Sequence, residues 1–234
     1  MRPEGLVRET GAPRAEDARR GGRQGTHLSA DRGHPGVNVV FDIGGVLVTC
    51  SPPDLVSSLF DAPAVQKAVL EGVFGDPDWR EFDRGALAPE TAIARAVRRT
   101  GLAPGEVKRL FDALPGALVP VPAVLALVRE LREAGHRLFV LSNMHRGSLA
   151  HLDAAHDIFA LFDGRVVSCE VGLCKPEPEI YTWLLDTYAL APDDTVLIDD
   201  VEANLAAARA QGIRTIRFED AAQCRTELVA LGCL

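Results

Sequence analysis

The sequence predicts an α/β fold in which a parallel β-sheet lies between two layers of helices and an all-helical segment is inserted after the first strand. Two observations support this prediction. Short apolar, β-branched segments alternate with helical segments along most of the chain, which is typical of parallel sheets with right-handed crossovers. One interval of about seventy residues breaks the alternation, because it contains several helix-start signals and no convincing strand.

Five segments are predicted as strands. The first, residues 37–41, is a short, largely β-branched run, which fits a strand buried on both faces. The other four are residues 137–141, 165–168, 195–198 and 213–218. Helices are predicted at residues 122–134, 178–188, 204–211 and 221–231. Together these elements predict a three-layer, Rossmann-like parallel sheet core made of residues 37–51 and 119–234.

The interval of residues 52–118 is predicted to form a small all-helical cap over the strand ends. Its helix starts are marked by proline, at Pro53, Pro63, Pro77, Pro89 and Pro104. The segment before the first strand differs in composition from both the sheet core and the helical cap. Residues 1–36 contain seven arginines and five acidic residues but almost no large apolar side chains, so we expect a flexible tail.

Composition excludes several classes of protein. The net charge of −8 argues against a nucleic-acid partner bound through a broadly basic surface. No apolar run approaches the roughly 20 residues that span a bilayer, and the N-terminal segment lacks the apolar stretch of a signal peptide, so we expect neither a signal peptide nor a membrane partner. The five cysteines form no C-x-x-C motif, which favours reduced thiols in a cytoplasmic protein. The sequence does not indicate an oligomeric state.

Polar residues follow four of the predicted strands. They are Asp42, Gly44 and Gly45 after the first strand, Ser142 and Asn143 after the second, Lys175 in the loop after the third, and Asp199 and Asp200 at the end of the fourth. Ligands of open α/β sheets bind beyond the carboxyl ends of the strands. We therefore expect these residues to converge at one edge of the sheet.

This set of residues suits phosphoryl transfer. A carboxylate can attack a phosphate only if the negative charges of both are neutralised. Mg²⁺ prefers carboxylate oxygens, waters and substrate phosphate, so Asp42, Asp200 and the carbonyl of Gly44 are the expected ligands. We expect Ser142 and Asn143, with loop N–H groups near Gly44, to hold the phosphate oxygens.

Lysine is rare in this chain, with three lysines against 22 arginines. A compact ammonium fits between a nucleophilic carboxylate and a phosphate better than a planar guanidinium does. Lys175 stands where such a group is needed. Its presence is therefore independent support for the predicted site.

The segments VVFDIGGVLV, FVLSN, GLCKPEPEIY and VLIDDVEANLAAA resemble, in order and spacing, the four motifs of the haloacid dehalogenase superfamily. The helical interval lies where that superfamily places its small cap. The resemblance implies a Mg²⁺-dependent phosphatase of small phosphorylated metabolites that forms an aspartyl-phosphate intermediate. It assigns the residues as follows: Asp42 as nucleophile, Ser142 as phosphate binder, Lys175 as charge organiser, Asp200 as principal metal ligand, and Asp199 and Asn204 as supporting residues.

One position departs from the family pattern. Phosphatases of the family usually carry a second aspartate two residues after the nucleophile as general acid and base, and here that residue is Gly44. Loss of such a group costs about 10²–10⁴ in rate. The first motif is similar to that of the glucose-1-phosphate phosphatase-like branch, so one hypothesis is a substrate with a good leaving group, such as a sugar 1-phosphate. The other is a surrogate acid, His145 or Asp83.

Two alternatives within the same fold remain open. A metal-independent dehalogenase would keep Asp42 and Lys175, but the acidic pair Asp199-Asp200 favours a metal and hence a phosphate. A catalytically impaired phosphate-binding or interaction protein is compatible with Gly44, and it would bind phosphate esters without turnover. A P-loop or dinucleotide-binding protein is excluded because neither glycine motif is present.

Overall fold

The computed structural model describes residues 36–49 and 51–234. Its sheet has five parallel strands in the order β3-β2-β1-β4-β5. The strands are β1 (Asn38–Phe41), β2 (Arg137–Ser142), β3 (Gly164–Val167), β4 (Thr195–Asp199) and β5 (Arg214–Arg217). The expected flexible tail, residues 1–36, lies outside the described residues except for Gly36.

Helices connect the strands and fill the interval after β1. Those between β1 and β2 are α1 (Pro52–Leu59), α2 (Pro63–Val69), α3 (Pro77–Asp83), α4 (Pro89–Thr100), α5 (Pro104–Ala113) and α6 (Pro122–Glu133). The later ones are α7 (Arg146–Ala155), α8 (Ser168–Val171), α9 (Pro178–Tyr188), α10 (Glu202–Ala210) and α11 (Ala221–Ala230). Each of α1 to α6 begins at a proline, whose fixed φ and missing N–H suit the first helical position.

Strand β1 lies at the centre of the sheet and is buried on both faces. Val39 and Phe41 pack into one hydrophobic cluster with α6 and α11, whereas Val40 packs into a second cluster with α9 and α10. The two clusters lie on opposite faces because successive side chains of a strand alternate. The predicted three-layer α/β fold is therefore confirmed.

The helices of residues 52–118 have a hydrophobic cluster of their own. Val56, Val73, Val107 and Leu110 are its buried centre. The chain leaves and re-enters the sheet layer through two adjacent segments that are hydrogen-bonded to each other. The Thr49 N–H donates to the Val119 carbonyl at 2.8 Å, and the Val121 N–H donates to the Leu47 carbonyl at 2.9 Å.

Two helices were not predicted, α7 between β2 and β3 and the short α8 directly after β3. Helix α7 buries only three residues, Ser148, Leu149 and Leu152, and its N-cap is the imidazole of His145 instead of a hydroxyl or carboxylate. Both features weaken the usual sequence signals of a helix start and of an apolar face. Helix α8 begins at Ser168, which had been assigned to the third strand. The other predicted strands and helices differ from the observed ones by at most two residues at an end.

Within the described residues, none of the helices combines the length and apolar character that crossing a membrane requires. The four described cysteines, Cys169, Cys174, Cys224 and Cys233, are free and buried.

Candidate active site

Asp42 lies immediately beyond β1, where the backbone still follows the sheet. Its N–H donates to the carbonyl of Ile198 in β4 at 2.9 Å, and its Oδ1 accepts the N–H of Ile43 at 2.6 Å. These bonds hold the carboxylate at the carboxyl edge of the sheet. The side chain is only 10% exposed, so one oxygen is committed to the backbone while the other is available for a charged partner.

That partner is Lys175, whose side chain is 1% exposed. Its Nζ lies 2.9 Å from Asp42 Oδ2 and 2.6 Å from Asp199 Oδ2. Burial opposes the charged form, but the two carboxylates raise the pKa of Lys175 above its ordinary value, so the ammonium stays protonated. Burial raises the pKa of Asp42 to about 6, with Lys175 opposing the shift and Asp199 adding to it. Asp42 is consequently mostly ionised at neutral pH.

Both carboxylate oxygens of Asp199 are occupied by hydrogen bonds from other residues of the protein. Its Oδ1 accepts the Val201 N–H at 2.8 Å, and both of its oxygens accept from Asn204 Nδ2 at 3.1 Å, in addition to the bond from Lys175. The Asn204 carbonyl in turn accepts from the hydroxyl of Tyr181 at 2.9 Å. Asp199 and Asn204 thus orient the lysine.

Asp200 completes a group of three carboxylates. Asp42, Asp199 and Asp200 each offer an oxygen within 4.8 Å of the others. Because Asp199 is already occupied by Lys175 and Asn204, the oxygens suited to a cation are those of Asp42 and Asp200. Gly45 has a φ of +76°, and a Cβ there would lie 2.5 Å from Asp200 Oδ2. The turn therefore requires glycine, which lets the backbone lie against the Asp200 carboxylate.

Ser142 is the last residue of β2, the strand next to β1, and Asn143 follows it. Ser142 is 1% exposed, and its hydroxyl donates a long hydrogen bond of 3.5 Å to the Asn143 carbonyl. The same hydroxyl tends to lower the pKa of the nearby Asp42 carboxyl. The Asn143 side chain forms two bonds of 2.8 Å with the backbone of Lys175, one to its carbonyl and one from its N–H. Asn143 therefore fixes the loop that carries the lysine.

The two residues considered as surrogate acids lie in different surroundings. Both ring nitrogens of His145 contact Ser148, Nδ1 to its N–H at 3.3 Å and Nε2 to its Oγ at 2.9 Å. The ring stacks on Phe82 with centroids 4.4 Å apart, and burial lowers the pKa of His145 to about 4. Burial raises the pKa of Asp83 to about 7. Asp83, and not His145, is therefore the group that can carry an exchangeable proton near neutral pH.

Two adjoining cavities lie between the helices of residues 52–118 and the sheet edge. The smaller, of about 120 Å³, is lined mainly by apolar side chains, among them Leu55, Phe74, Trp79, Leu114 and Met144. The polar part of its lining consists of Gly44, Ser51, Asp83, Asn143, His145 and Ser148. The larger, of about 800 Å³, includes Lys175, Asn204, Arg80 and Arg84. Both cavities are lined by Asp83 and Asn143, so these residues lie between an apolar compartment and a polar one.

Contacts between α3 and the sheet layer were not predicted. The Ser168 hydroxyl donates to the carbonyl of Asp83 at 2.6 Å. Arg84 forms a two-pronged ion pair with Glu177, in which Nη1 lies 2.8 Å from Oε2. Arg84 and Glu177 are 93 residues apart in sequence, and neither belongs to a local pattern that would identify the other. Glu177 lies two residues after Lys175, which is the one signal that could have drawn attention to it.

Over residues 38–212 the sequence matches the family of haloacid dehalogenase-like hydrolases. The sesquiterpene phosphatase astK of Aspergillus oryzae is 29% identical over 196 residues, which cover 83% of this chain and 96% of that protein.

Two solved structures share the fold. One is a HAD family enzyme from Bacteroides thetaiotaomicron in complex with magnesium and inorganic phosphate, at a TM-score of 0.63 and 22% identity over 80% of this chain and 97% of that one. The other is the L-2-haloacid dehalogenase of Xanthobacter autotrophicus, at a TM-score of 0.59 and 17% identity over 84% and 83%. At these identities the structures show the fold alone. On the family match, this chain belongs to the haloacid dehalogenase-like hydrolases.

Proposed function

We propose that this protein is a Mg²⁺-dependent phosphatase that hydrolyses monoesters of small phosphorylated metabolites through an aspartyl-phosphate on Asp42. The observation that carries the proposal is the buried ion triplet in which Lys175 joins Asp42 to Asp199, with the Asp200 carboxylate beside it. A nucleophilic carboxylate, a fixed positive charge and a pair of oxygens suited to a cation are together what phosphoryl transfer to aspartate requires.

In this proposal Asp42 Oδ attacks phosphorus, and the bond to the ester oxygen breaks with its electron pair. The phosphate oxygens are bound by Lys175, Ser142, Asn143 and the backbone near Gly44. Water then attacks the phosphoryl group on Asp42, which releases inorganic phosphate and restores the carboxylate. Asp199 and Asn204 act through Lys175, whose position they determine.

The donor set fits Mg²⁺, because carboxylate and carbonyl oxygens are the protein ligands that this hard cation prefers. Asp42, Asp200 and the carbonyl of Gly44 would hold it. When bound, the ion would neutralise the phosphate charge that otherwise repels the nucleophile. The HAD family enzyme of the same fold that was solved with magnesium and inorganic phosphate agrees with the choice of cation.

The smaller cavity favours a substrate whose organic group is apolar. Its lining is dominated by side chains such as Leu55, Phe74 and Trp79, which offer few partners for sugar hydroxyls. The sesquiterpene phosphatase relative agrees with that preference. We therefore rank apolar alcohol monophosphates ahead of the sugar 1-phosphates that the first motif suggested. The four described cysteines are free thiols, which supports a cytoplasmic location for the protein.

Phosphate release from a panel of monophosphates, in Mg²⁺ and in EDTA, tests the proposal. The panel pairs prenyl and alkyl phosphates with sugar 1- and 6-phosphates, and Asp42→Asn is the blank. We expect Mg²⁺-dependent release that Asp42→Asn abolishes, together with a phosphoryl adduct on the Asp42 peptide after acid quenching. Halide release from 2-haloacids in EDTA would instead identify the dehalogenase, and ester binding without Asp42-dependent turnover would identify the impaired binding protein.

A further inference from the structure

The position that usually supplies the acid and base of this reaction has no side chain here, yet a carboxyl from another element lies in the same cavity. Gly44 and Asp83 both line the smaller cavity. Building on the proposed function, we propose that Asp83, at the end of α3, is the general acid and base that serves Asp42. The catalytic pair would then be split between the sheet edge and the helices that face it.

The backbone that carries Asp83 is attached to the sheet layer on both sides of the carboxyl. Its own carbonyl accepts the Ser168 hydroxyl at 2.6 Å, and Arg84, the next residue, pairs with Glu177. Gly85 follows with a φ of +77°, and a Cβ there would lie 3.2 Å from the Cys169 carbonyl. The C-terminal end of α3 is thus held against the sheet layer even though the helix belongs to the inserted segment.

The charges around Asp83 suit proton transfer. Burial raises the pKa of Asp83 to about 7, the backbone N–H of His145 in the loop before α7 opposes that shift, and the charge of Asp42 at the sheet edge adds to it. Arg84 is directed toward Glu177 and Gly172. The His145 ring is occupied by Ser148 and is neutral. Asp83 is therefore the titratable group of this cavity that can deliver a proton near neutral pH.

The proton balance of the two steps is complete. As Asp42 Oδ forms its bond to phosphorus, the ester oxygen leaves with the bonding pair and takes the proton of the Asp83 carboxyl, which produces the alcohol. The Asp83 carboxylate then takes a proton from the water that attacks the aspartyl-phosphate. Inorganic phosphate is released, and both aspartates return to their starting states.

The test compares an alkyl phosphate, whose leaving oxygen needs a proton, with 4-nitrophenyl phosphate, whose leaving group does not. We expect Asp83→Asn to lower kcat for the alkyl ester about 10²–10⁴-fold. With the aryl ester we expect a rapid burst of nitrophenol, one per active site, followed by slow turnover, because water activation is also lost. The matched control is Asp61→Asn, which removes an exposed carboxylate at the start of α2 and should leave both rates unchanged.

A second variant distinguishes a missing acid from a damaged fold. Gly44→Asp introduced into Asp83→Asn restores a carboxyl to the same cavity. We expect kcat of the double variant for the alkyl ester to be at least tenfold higher than that of Asp83→Asn alone. Equal loss with both esters, no burst and no rescue would overturn the role of Asp83 while leaving Asp42-dependent hydrolysis by the wild type intact. If the wild-type protein itself shows no Asp42-dependent hydrolysis, the proposed function fails first.

Discussion

The sheet edge around Asp42 and the inserted helices that face it are stabilised in different ways. At the edge, Asp42, Lys175 and Asp199 are buried charges bonded to one another. The helices of residues 52–118 are held by an apolar cluster, and α3 contacts the sheet layer through partly exposed groups such as Arg84 and Glu177. Buried charges tolerate no loss of a partner, whereas partly exposed pairs contribute little each. Substitutions at the edge should therefore have larger effects than substitutions at the contact.

The largest effect is expected at Lys175. Lys175→Met leaves two buried carboxylates facing each other, so we expect a loss of about 3–5 kcal/mol in the free energy of unfolding and no measurable phosphatase activity. Urea denaturation and the phosphate-release assay measure both. Lys108→Met is the control, because Lys108 is 64% exposed and pairs only with Asp112 one turn away. Comparable losses in the two variants would contradict the distinction between the edge and the inserted helices.

The next largest effect is expected at Gly45. In Gly45→Ala the φ of +76° is unfavourable and the new Cβ displaces the Asp200 carboxylate. We expect a loss of about 1–3 kcal/mol in stability and weaker Mg²⁺ binding, measured by calorimetry on the intact protein. Gly105→Ala is the control, since no atom lies within 4 Å of a Cβ there. Unchanged Mg²⁺ affinity in Gly45→Ala would remove Asp200 from the metal site.

A smaller, pH-dependent effect is expected at Asp83. Its folded pKa of about 7 exceeds the ordinary value, so the folded state binds more protons than the unfolded state between about pH 4 and pH 7. The wild type therefore loses the stability contributed by Asp83 through that window as pH rises, whereas Asp83→Asn lacks this contribution and keeps only that of other groups such as Asp42. We expect the variant to gain on the order of 2 kcal/mol relative to wild type between pH 5 and pH 8. Thermal melts of wild type and Asp83→Asn at both pH values measure this gain, and Asp61→Asn is the control. A stability difference between Asp83→Asn and wild type that is the same at both pH values would contradict the raised pKa of Asp83.

The smallest effect is expected at the contact between α3 and the sheet layer. Arg84 and Glu177 have side chains 19% and 30% exposed, so a double-mutant cycle of Arg84→Gln and Glu177→Gln should give a coupling energy of about 0.5–1 kcal/mol. We expect KM to rise a few-fold with little change in global stability. Arg225→Gln, which breaks the more exposed pair with Glu130 on the far part of the fold, should leave KM unchanged. A rise in KM in Arg225→Gln would show that the rise expected for Arg84→Gln does not depend on the position of Arg84 beside the site.

Most of the fold was predictable because its signals are local. The three central strands, β1, β2 and β4, are short, largely apolar runs, and the proline at the start of each of α1 to α6 marks a helix within a few residues. Helix α7 escaped prediction since its N-cap is the His145 ring and its buried face includes Ser148. Lysine usage was informative as well: Lys67 and Lys108 are exposed, at 73% and 64%, whereas Lys175 is buried between two carboxylates.

The fold class could be read from the sequence alone, and so could the meeting of Asp42, Ser142, Lys175 and the acidic pair. Each of these residues lies at or after the end of a parallel strand, and the carboxyl ends of such strands lie at one edge. The sequence left His145 and Asp83 equivalent as candidate acids. Only the tertiary structure separated them, by packing the imidazole against Phe82 and Ser148 and by bringing Asp83 into the cavity with Gly44. The physical reason is that burial and hydrogen-bond partners, which decide where a proton resides, come from segments far apart in the chain.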